Sequence, residues 1–386
     1  MSYTVSRRSF LGGLSAAVGV LTPESSLVAQ TSGTLLRQPR PRLGLDEYDA
    51  AAKLAYNENP YGPSEAVLKA MTTAFKYDNR YGYPDGNLVQ ELAAHHGVKT
   101  GNILLGAGSG EILQVAARTF LGGGRKIVGV IPTYGAVFEY ASGVRSEAIV
   151  LPLREDYGQD IDALIKTTRN NHRDVAFVYL CSPNNPTGIV VSKEEVRRLL
   201  DGIPEDVPVL IDEAYHHYVD NAAYATSIPY VIEGRPVIVA RTFSKIYGLA
   251  GMRLGYAVAA EPIIGRMRPH CTGSINALVT WAGVTALADT GAADRVRRTT
   301  LQLRRSTVAE LEGMGFTVLP SEANFFMVHI RRQVQTVVDE FRARGVLVGR
   351  PFPPMHEHLR VSVGTPDEMR RFLTAFRETV GRKTPA

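Results

Sequence analysis

Short apolar runs rich in β-branched residues recur along the chain, separated by stretches of helical periodicity. Ile103-Leu104-Leu105, Lys126 to Ile131, Val150-Leu151, Val175 to Leu180, Val207 to Ile211 and Val237 to Ala240 read as strands. Leu254 to Val258 reads as another, directly after a polar loop. Helices are predicted from about Ser64, with Ser64 as N-cap before Glu65, from Asn87 to His96, and from Ile112 to Phe120. Strands alternating with helices predict an α/β fold with a mostly parallel, doubly wound sheet. After Tyr256 the texture changes. A long helical region, Thr280 to Gly313, carries Arg and Glu on its polar faces. Phe316 to Pro320, Asn324 to Val328 and Leu359 to Val363 then read as strands, with helices between and after them. This α+β texture predicts a smaller C-terminal domain. The expected division is a leader over residues 1–30, an N-terminal arm over 31–78, a large domain over 79–275 and a small domain over 276–386.

In open α/β sheets, ligands bind beyond the carboxyl ends of the strands. Tyr134, Asn185, Asp212, Tyr215 and Lys245 each follow such an end. The richest stretch is Val237 to Tyr256, where Thr242, Ser244, Lys245 and Arg253 share one loop system between two strands. A desolvated lysine loses its preference for charge and becomes nucleophilic. Hydroxyls and a guanidinium together suit a phosphate dianion. Pyridoxal 5′-phosphate (PLP), an aldehyde that carries a phosphate, uses all of these groups at once. Taken alone, Lys245 is better explained as a solvated lysine after a strand, so its companions decide. Gly106-Ala107-Gly108-Ser109-Gly110-Glu111 is a glycine-rich turn between strand and helix, a natural place for free backbone N–H groups to meet phosphate. No Gly-Lys-Ser/Thr follows it, so it is not a Walker A loop, and the dinucleotide fingerprint fits badly.

Composition narrows the field. The 386 residues are 45% hydrophobic and 21% charged, ordinary for a globular protein. The net charge of +5 is scattered, without a basic block, which argues against nucleic acid and favours small anionic ligands. Cys181 and Cys271 read as apolar thiols rather than a disulfide. His95-His96, His216-His217 and His356-Glu357-His358 lack the i, i+4 spacing that points two imidazoles at one ion, so no metal is expected. Ser6-Arg7-Arg8-Ser9-Phe10-Leu11, followed by an apolar Leu11 to Leu21 too short to span a bilayer, predicts a twin-arginine export signal. The expectation is a periplasmic or otherwise extracytoplasmic protein with no stable membrane span.

Several motifs, in order, carry a family resemblance: Asn57-Glu58-Asn59-Pro60-Tyr61-Gly62-Pro63, Ser182-Pro183-Asn184-Asn185-Pro186-Thr187-Gly188, Asp212-Glu213-Ala214-Tyr215, Thr242-Phe243-Ser244-Lys245 through Leu249-Ala250-Gly251-Met252-Arg253, and Leu359-Arg360-Val361-Ser362-Val363-Gly364. From Tyr56 to the C-terminus the chain resembles the fold-type I PLP-dependent aminotransferases, in their histidinol-phosphate aminotransferase branch. The resemblance implies that Lys245 is the Schiff-base lysine, which also moves the proton at the substrate α-carbon. Asp212 would pair with the pyridinium nitrogen, Tyr215 and Asn185 would bond the ring's O3′ oxygen, and Tyr134 would stack on the ring. Ser109, the N–H groups of Gly108 and Gly110, Thr242, Ser244 and Arg253 would hold the phosphate. Tyr83 would reach the phosphate of a neighbouring subunit, which implies a homodimer. Arg360 would bind the substrate carboxylate, with Asn324, Asn59 and Tyr61 nearby.

Two departures stand out. Gly110 lies where relatives commonly carry an acidic residue, and Arg350 in Gly349-Arg350-Pro351-Phe352 is shifted from the usual arginine. Arg350 is open to two readings, a substrate phosphate or carboxylate partner and a surface arginine. The expected reaction is transfer of an amino group between an amino acid or amine, histidinol-phosphate-like or aromatic, and a 2-oxo acid. A PLP-dependent decarboxylase or lyase and a non-catalytic ligand-binding protein are the alternatives.

Overall fold

The apolar runs assemble into a seven-stranded sheet in the computed structural model, which describes residues 43–381. The expected leader and the first part of the N-terminal arm, to residue 42, lie outside the described residues. In chain order the strands are β1 (Ala52–Leu54), β2 (Ile103–Gly106), β3 (Lys126–Ile131), β4 (Ala148–Pro152), β5 (Val175–Cys181), β6 (Val209–Asp212), β7 (Val237–Thr242), β8 (Gly255–Ala259), β9 (Thr317–Val318), β10 (Phe325–His329), β11 (Val346–Val348) and β12 (His358–Ser362). The large sheet runs β2-β8-β7-β6-β5-β3-β4. All its pairs are parallel except those of β8, which is antiparallel to both neighbours.

The period-two alternation of β7 explains why helices cover both faces. Val237 and Val239 enter one apolar core with Leu88, Leu92, Leu199 and Val279. Ile238 and Ala240 enter another with Ile112, Leu113, Phe120 and Met267. All four β7 residues are fully buried, and each Val or Ile contributes about 1.5–3 kcal/mol by leaving water. The central strands therefore carry no polar residue until they reach their carboxyl ends.

Two smaller sheets complete the fold. β9, β10 and β12 form an antiparallel sheet in the order β12-β10-β9, and β1 pairs in parallel with β11. Their core gathers Phe326, Val328, Leu359, Val361, Phe372 and Phe376. Neither β1 nor β11 is anticipated by the apolar pattern, because each has only three residues.

Ser64 caps the Glu65–Ala74 helix as expected, accepting from Val67 N. The helix expected from Ile112 begins earlier, at Ser109. The single helix expected over Thr280 to Gly313 is two helices, Ala277–Ala288 and Thr290–Gly313. Asp289 ends the first with its N–H on Thr285 O, and caps the second by accepting from Ala292 N. An aspartate that satisfies two helix ends stabilises a break that periodicity alone cannot reveal.

Candidate active site

Two neighbouring parallel strands deliver the central pair of groups. β6 ends on Asp212, which is 2% exposed and accepts from Ala214 N at 3.1 Å. Burial pushes its carboxyl up to about 7, against the opposing pull of Lys245. Lys245 follows the end of β7 and is half-buried. Its Nζ donates to Tyr56 O at 3.1 Å and lies 5.5 Å from the centre of the Tyr215 ring. Burial, then the Arg360 charge, lowers the amine to about 8, while Glu58 and Asp212 oppose the shift. Each of the two groups is thus displaced towards neutral pH by its surroundings, a pattern typical of functional sites.

Beside this pair lies an anion cradle. The Ser109–Phe120 helix starts here with Gly108 as its N-cap, and the first N–H groups of a helix have no intrahelical acceptor. Gly108 has φ +83, and a Cβ on it would lie 2.2 Å from Arg253 Nη2. Gly255 allows the second close approach, since a Cβ there would lie 2.3 Å from Ser109 N. Thr242 Oγ1 donates to Ser244 Oγ at 2.8 Å, and Arg253 Nη1 donates to the same oxygen at 3.4 Å. Arg253, itself in the left-handed region at φ +60, also donates to Ala107 O at 3.3 Å. Gly108, Ser109, Gly110, Thr242, Ser244 and Arg253 belong to this one corner.

The opposite wall is built by β12. Arg360 is 6% exposed, donating to Asn185 Oδ1 and to Ala55 O, each at 2.6 Å. Its guanidinium lies 5.6 Å from the Phe325 ring and 4.6 Å from the Phe352 ring. Asn324 donates to Asn57 O at 3.0 Å and to Glu58 O at 3.3 Å, and its Oδ1 is buried without a hydrogen-bond partner. Tyr215 is buried, and its hydroxyl accepts from Asn57 Nδ2 at 3.0 Å. Asn59 ties the same segment to Ile246 O, one residue past Lys245, and accepts from Tyr61 N. Tyr61 is 44% exposed.

The remaining expected residues fall at the margins. Tyr134 follows β3 and keeps 39% of its surface exposed, although burial of its hydroxyl pushes that group to about 12. Arg350 is exposed, and its guanidinium lies 4.5 Å from the same Phe352 ring that Arg360 touches. Tyr83 has a partner within its own chain, donating to Ile275 O at 2.9 Å. Cys181 is buried and Cys271 partly so, and both are free thiols. Among the described residues, no group of three metal-ligating side chains could hold an ion, and no helix is long and apolar enough to cross a membrane.

Further residues contribute without an assigned role in the motifs. Asn57, at φ +55, donates its N–H to Ser362 Oγ and accepts from that hydroxyl, which locks β12 to the segment after β1. Phe325 meets Tyr215 edge-on at 5.0 Å. Glu213 and Arg241 form a buried ion pair directly behind Asp212. The signal for the pair is visible afterwards: a charge next to the end of an otherwise apolar strand needs a partner.

Comparison with known proteins places the chain in a family. The family described as Aminotransferase class I and II matches residues 51–376. The chain is 38% identical to a histidinol-phosphate aminotransferase of Moorella thermoacetica, over 84% of each protein. It is 32% identical to the enzyme of the same name from Caldicellulosiruptor saccharolyticus, over 90% of this chain and 96% of that one. The structure of histidinol-phosphate aminotransferase from Sinorhizobium meliloti, in complex with pyridoxal-5′-phosphate, superimposes with a TM-score of 0.79 at 26% identity, covering 95% of this chain and 98% of that one. A family match across most of the chain, on a fold whose strand ends carry the lysine and the aspartate, makes this protein a member of the class I and II aminotransferases.

Proposed function

We propose that this aminotransferase holds PLP around Lys245 and moves an amino group from an amino acid or amine to a 2-oxo acid. One observation carries the reading. Lys245 and Asp212 stand at the ends of adjacent parallel strands with both pKa values displaced towards neutrality, beside a glycine-lined anion cradle. The chemistry of the donor set fits the cofactor. Asp212 is a carboxyl raised by burial, and a protonated ring nitrogen would give it a close cationic partner. The N–H groups at Gly108 to Gly110, with Ser109, Thr242, Ser244 and Arg253, fit its phosphate. Tyr134 offers a partly exposed ring to stack, and Tyr215 and Asn185 offer polar groups for the ring oxygen. When bound, the cofactor supplies an aldehyde that accepts amino groups and a ring that withdraws electrons from the substrate.

The chain's own residues do the rest. Lys245, with its amine near 8, is deprotonated in a useful fraction at neutral pH, so it can take and return the proton at the substrate α-carbon. Asp212 holds a positive charge at the ring nitrogen. Arg360, with Asn324 beside it, orients the substrate by a carboxylate. Asn59 holds the segment beside Lys245, and Tyr61 and Arg350 are exposed side chains that would meet a distal anionic or aromatic group. The names of the relatives support a histidinol-phosphate-like donor.

Two wider features belong to the same reading. The protein works as a homodimer, in which Tyr83 serves the neighbouring site. Leu68, Phe75 and Tyr81 are 50%, 57% and fully exposed, which supports a covered face along this stretch. Arg7-Arg8 directs export of the folded protein, with PLP loaded beforehand.

Borohydride treatment of the PLP-loaded protein should label Lys245 covalently and label nothing in Lys245→Ala. A panel of amino donors, histidinol phosphate and aromatic amino acids included, then identifies the substrate by keto-product formation. Label at another lysine, or no product from any donor, would contradict the reading. Mixing inactive Tyr83 and Lys245 variants tests the shared site, because hybrid dimers recover activity only if the two residues serve one site from two chains. Arg7 and Arg8 changed together to Lys should retain the protein in the cytoplasm.

A further inference from the structure

β12 docks onto the body of the protein through one face. Side chains two apart on a strand share a face, so His358, Arg360 and Ser362 form a row. Each makes a polar bridge to a different segment. Ser362 Oγ bonds Asn57 Oδ1 at 2.9 Å, after β1. Arg360 Nη1 bonds Asn185 Oδ1 at 2.6 Å, after β5. His358 Nε2 meets the Tyr157 hydroxyl at 3.2 Å, in the turn between β4 and the Ile161–Asn170 helix. On β10 the register opposes Phe325, Met327 and His329 to these three, so the whole face is shared. The opposite face, with Leu359 and Val361, belongs to the apolar core.

The inner two rungs belong to the site already described. The outer rung does not. Its geometry is nonetheless specific. Tyr157 sits at φ +63, a left-handed conformation in which large side chains are uncommon. The turn is closed by Tyr157 N on Arg154 O and Arg154 N on Gly158 O, each at 2.9 Å. Glycine or asparagine would adopt this backbone with less strain. The tyrosine there meets His358 twice, through its hydroxyl and through an edge-on ring contact at 5.3 Å. It also packs in one apolar cluster with Met327, Phe352 and Met355. Phe352 is the ring on which the Arg360 guanidinium rests, at 4.6 Å. His358 is held from its other side by the His329 ring, stacked at 4.7 Å, and His329 is bonded to Glu357 at 3.1 Å.

We infer that Tyr157 and His358 are positioning residues for Arg360: they pin the outer end of β12 and the Phe352 cluster, and so fix where the guanidinium meets a substrate carboxylate. The inference rests on Arg360 being the carboxylate-binding group. Two bonds on the inner side of Arg360 and one on its outer side leave the strand no freedom to pivot about Asn185. Without the Tyr157 bond the outer end keeps its backbone ladder to β10 and its ring contacts, but loses its one polar tie to the turn after β4. The guanidinium then samples positions in which its two-pronged geometry no longer matches a carboxylate.

The test is Tyr157→Phe in the full-length PLP-loaded enzyme, which keeps the ring and removes the hydroxyl. KM for a carboxylate-bearing donor should rise about three- to tenfold, as expected for one lost hydrogen bond. The dissociation constant of the matching deaminated carboxylate, measured by absorbance change of the bound cofactor, should rise equally. The kcat and the cofactor content should change by less than about twofold. His358→Gln, which keeps an acceptor, should retain more of the wild-type KM than His358→Leu. Arg360→Ala is the control. If it leaves carboxylate KM unchanged, the underlying assignment of Arg360 has failed. If Arg360→Ala raises KM while Tyr157→Phe and His358→Leu do not, the positioning inference is overturned. It is also overturned if both variants lose kcat, cofactor and thermal stability together, because that is the mark of a general structural role.

Discussion

Arg241 donates to Glu213 Oε2 through Nη2 at 2.7 Å and through Nε at 3.1 Å, in a pair whose side chains are 4% and 1% exposed. Glu213 is the first residue after β6, and Arg241 precedes Thr242 on β7. The pair therefore ties the two central strands together on the side facing away from the site. Ser227 N and Thr226 Oγ1 donate to the same carboxylate, and Arg241 Nη1 donates to His216 Nε2. That bond needs an unprotonated His216 Nε2, and burial with the Arg241 charge keeps this imidazole neutral far below its usual range.

Breaking this pair from one side leaves a buried charge. Arg241→Met should cost about 3–5 kcal/mol in denaturant unfolding. The double variant Arg241→Met with Glu213→Leu should be more stable than Arg241→Met alone, because it removes both charges. Strictly additive losses in the four-protein cycle would show that the two residues are not coupled.

Asp212 yields a prediction with a definite sign. Its folded-state carboxyl is raised from 3.8 to about 7, so the folded protein holds this proton more tightly than the unfolded chain does. That contribution is fully present below about pH 4 and is lost as pH rises through about 7. Asp212→Asn keeps the acceptor for Ala214 N and cannot ionise. In the cofactor-free state the variant should therefore melt above wild type at pH 8 and lose most of that advantage as the pH falls towards 4. Added PLP should stabilise wild type more than the variant. Equal melting shifts at both pH values would refute the buried-carboxylate account.

Lys245 can be titrated directly. Its amine is lowered from 10.5 to about 8, first by burial and next by Arg360. Acylation of Lys245 in the cofactor-free protein, followed by mass spectrometry, should show a midpoint near pH 8. Arg360→Met should move the midpoint upwards, and Glu58→Gln should move it downwards, since Glu58 favours the charged amine. A midpoint above 10 in wild type would mean that the pocket does not desolvate the group.

Much of this was legible in the sequence, for a physical reason. β5, β6 and β7 are buried on both faces, so they appear as unbroken apolar runs, and the first polar residues after them must lie at the sheet edge. Asp212 is visible on that ground, whereas Lys245 lies beyond Arg241, Thr242 and Ser244 and is picked out only by its companions. Asn57 and Ser362 are not visible, because their bond joins positions 305 residues apart and neither breaks a local pattern. The break at Asp289 coincides with a change from the apolar, uncharged Ala277–Ala288 stretch to the Arg-rich Thr290–Gly313 stretch, a signal that helical periodicity alone does not register. Tyr157 escapes as well, since no sequence rule marks a tyrosine in a left-handed turn.

Gly255 is a further feature that only the fold reveals, and its consequence is sharp. It opens β8 opposite Gly106, and its backbone conformation is one that any residue could adopt. The constraint is distance. A Cβ at this position would lie 2.3 Å from Ser109 N, 2.4 Å from Gly108 C and 2.8 Å from Arg241 O. All three are backbone atoms, so no side-chain rotation relieves the clash. Either β8 moves or the Gly108–Ser109 turn does, and the turn is the less buried of the two. Gly255→Ala should therefore displace the helix N-terminus that faces the anion, and PLP should bind at least about tenfold more weakly. Gly251→Ala, where a Cβ meets nothing within 4 Å, is the matched control in the same loop system. Equilibrium titration with PLP, and with inorganic phosphate as a competitor, reads the cradle without relying on turnover. Equal PLP affinity for the two variants would mean that the turn does not hold the phosphate.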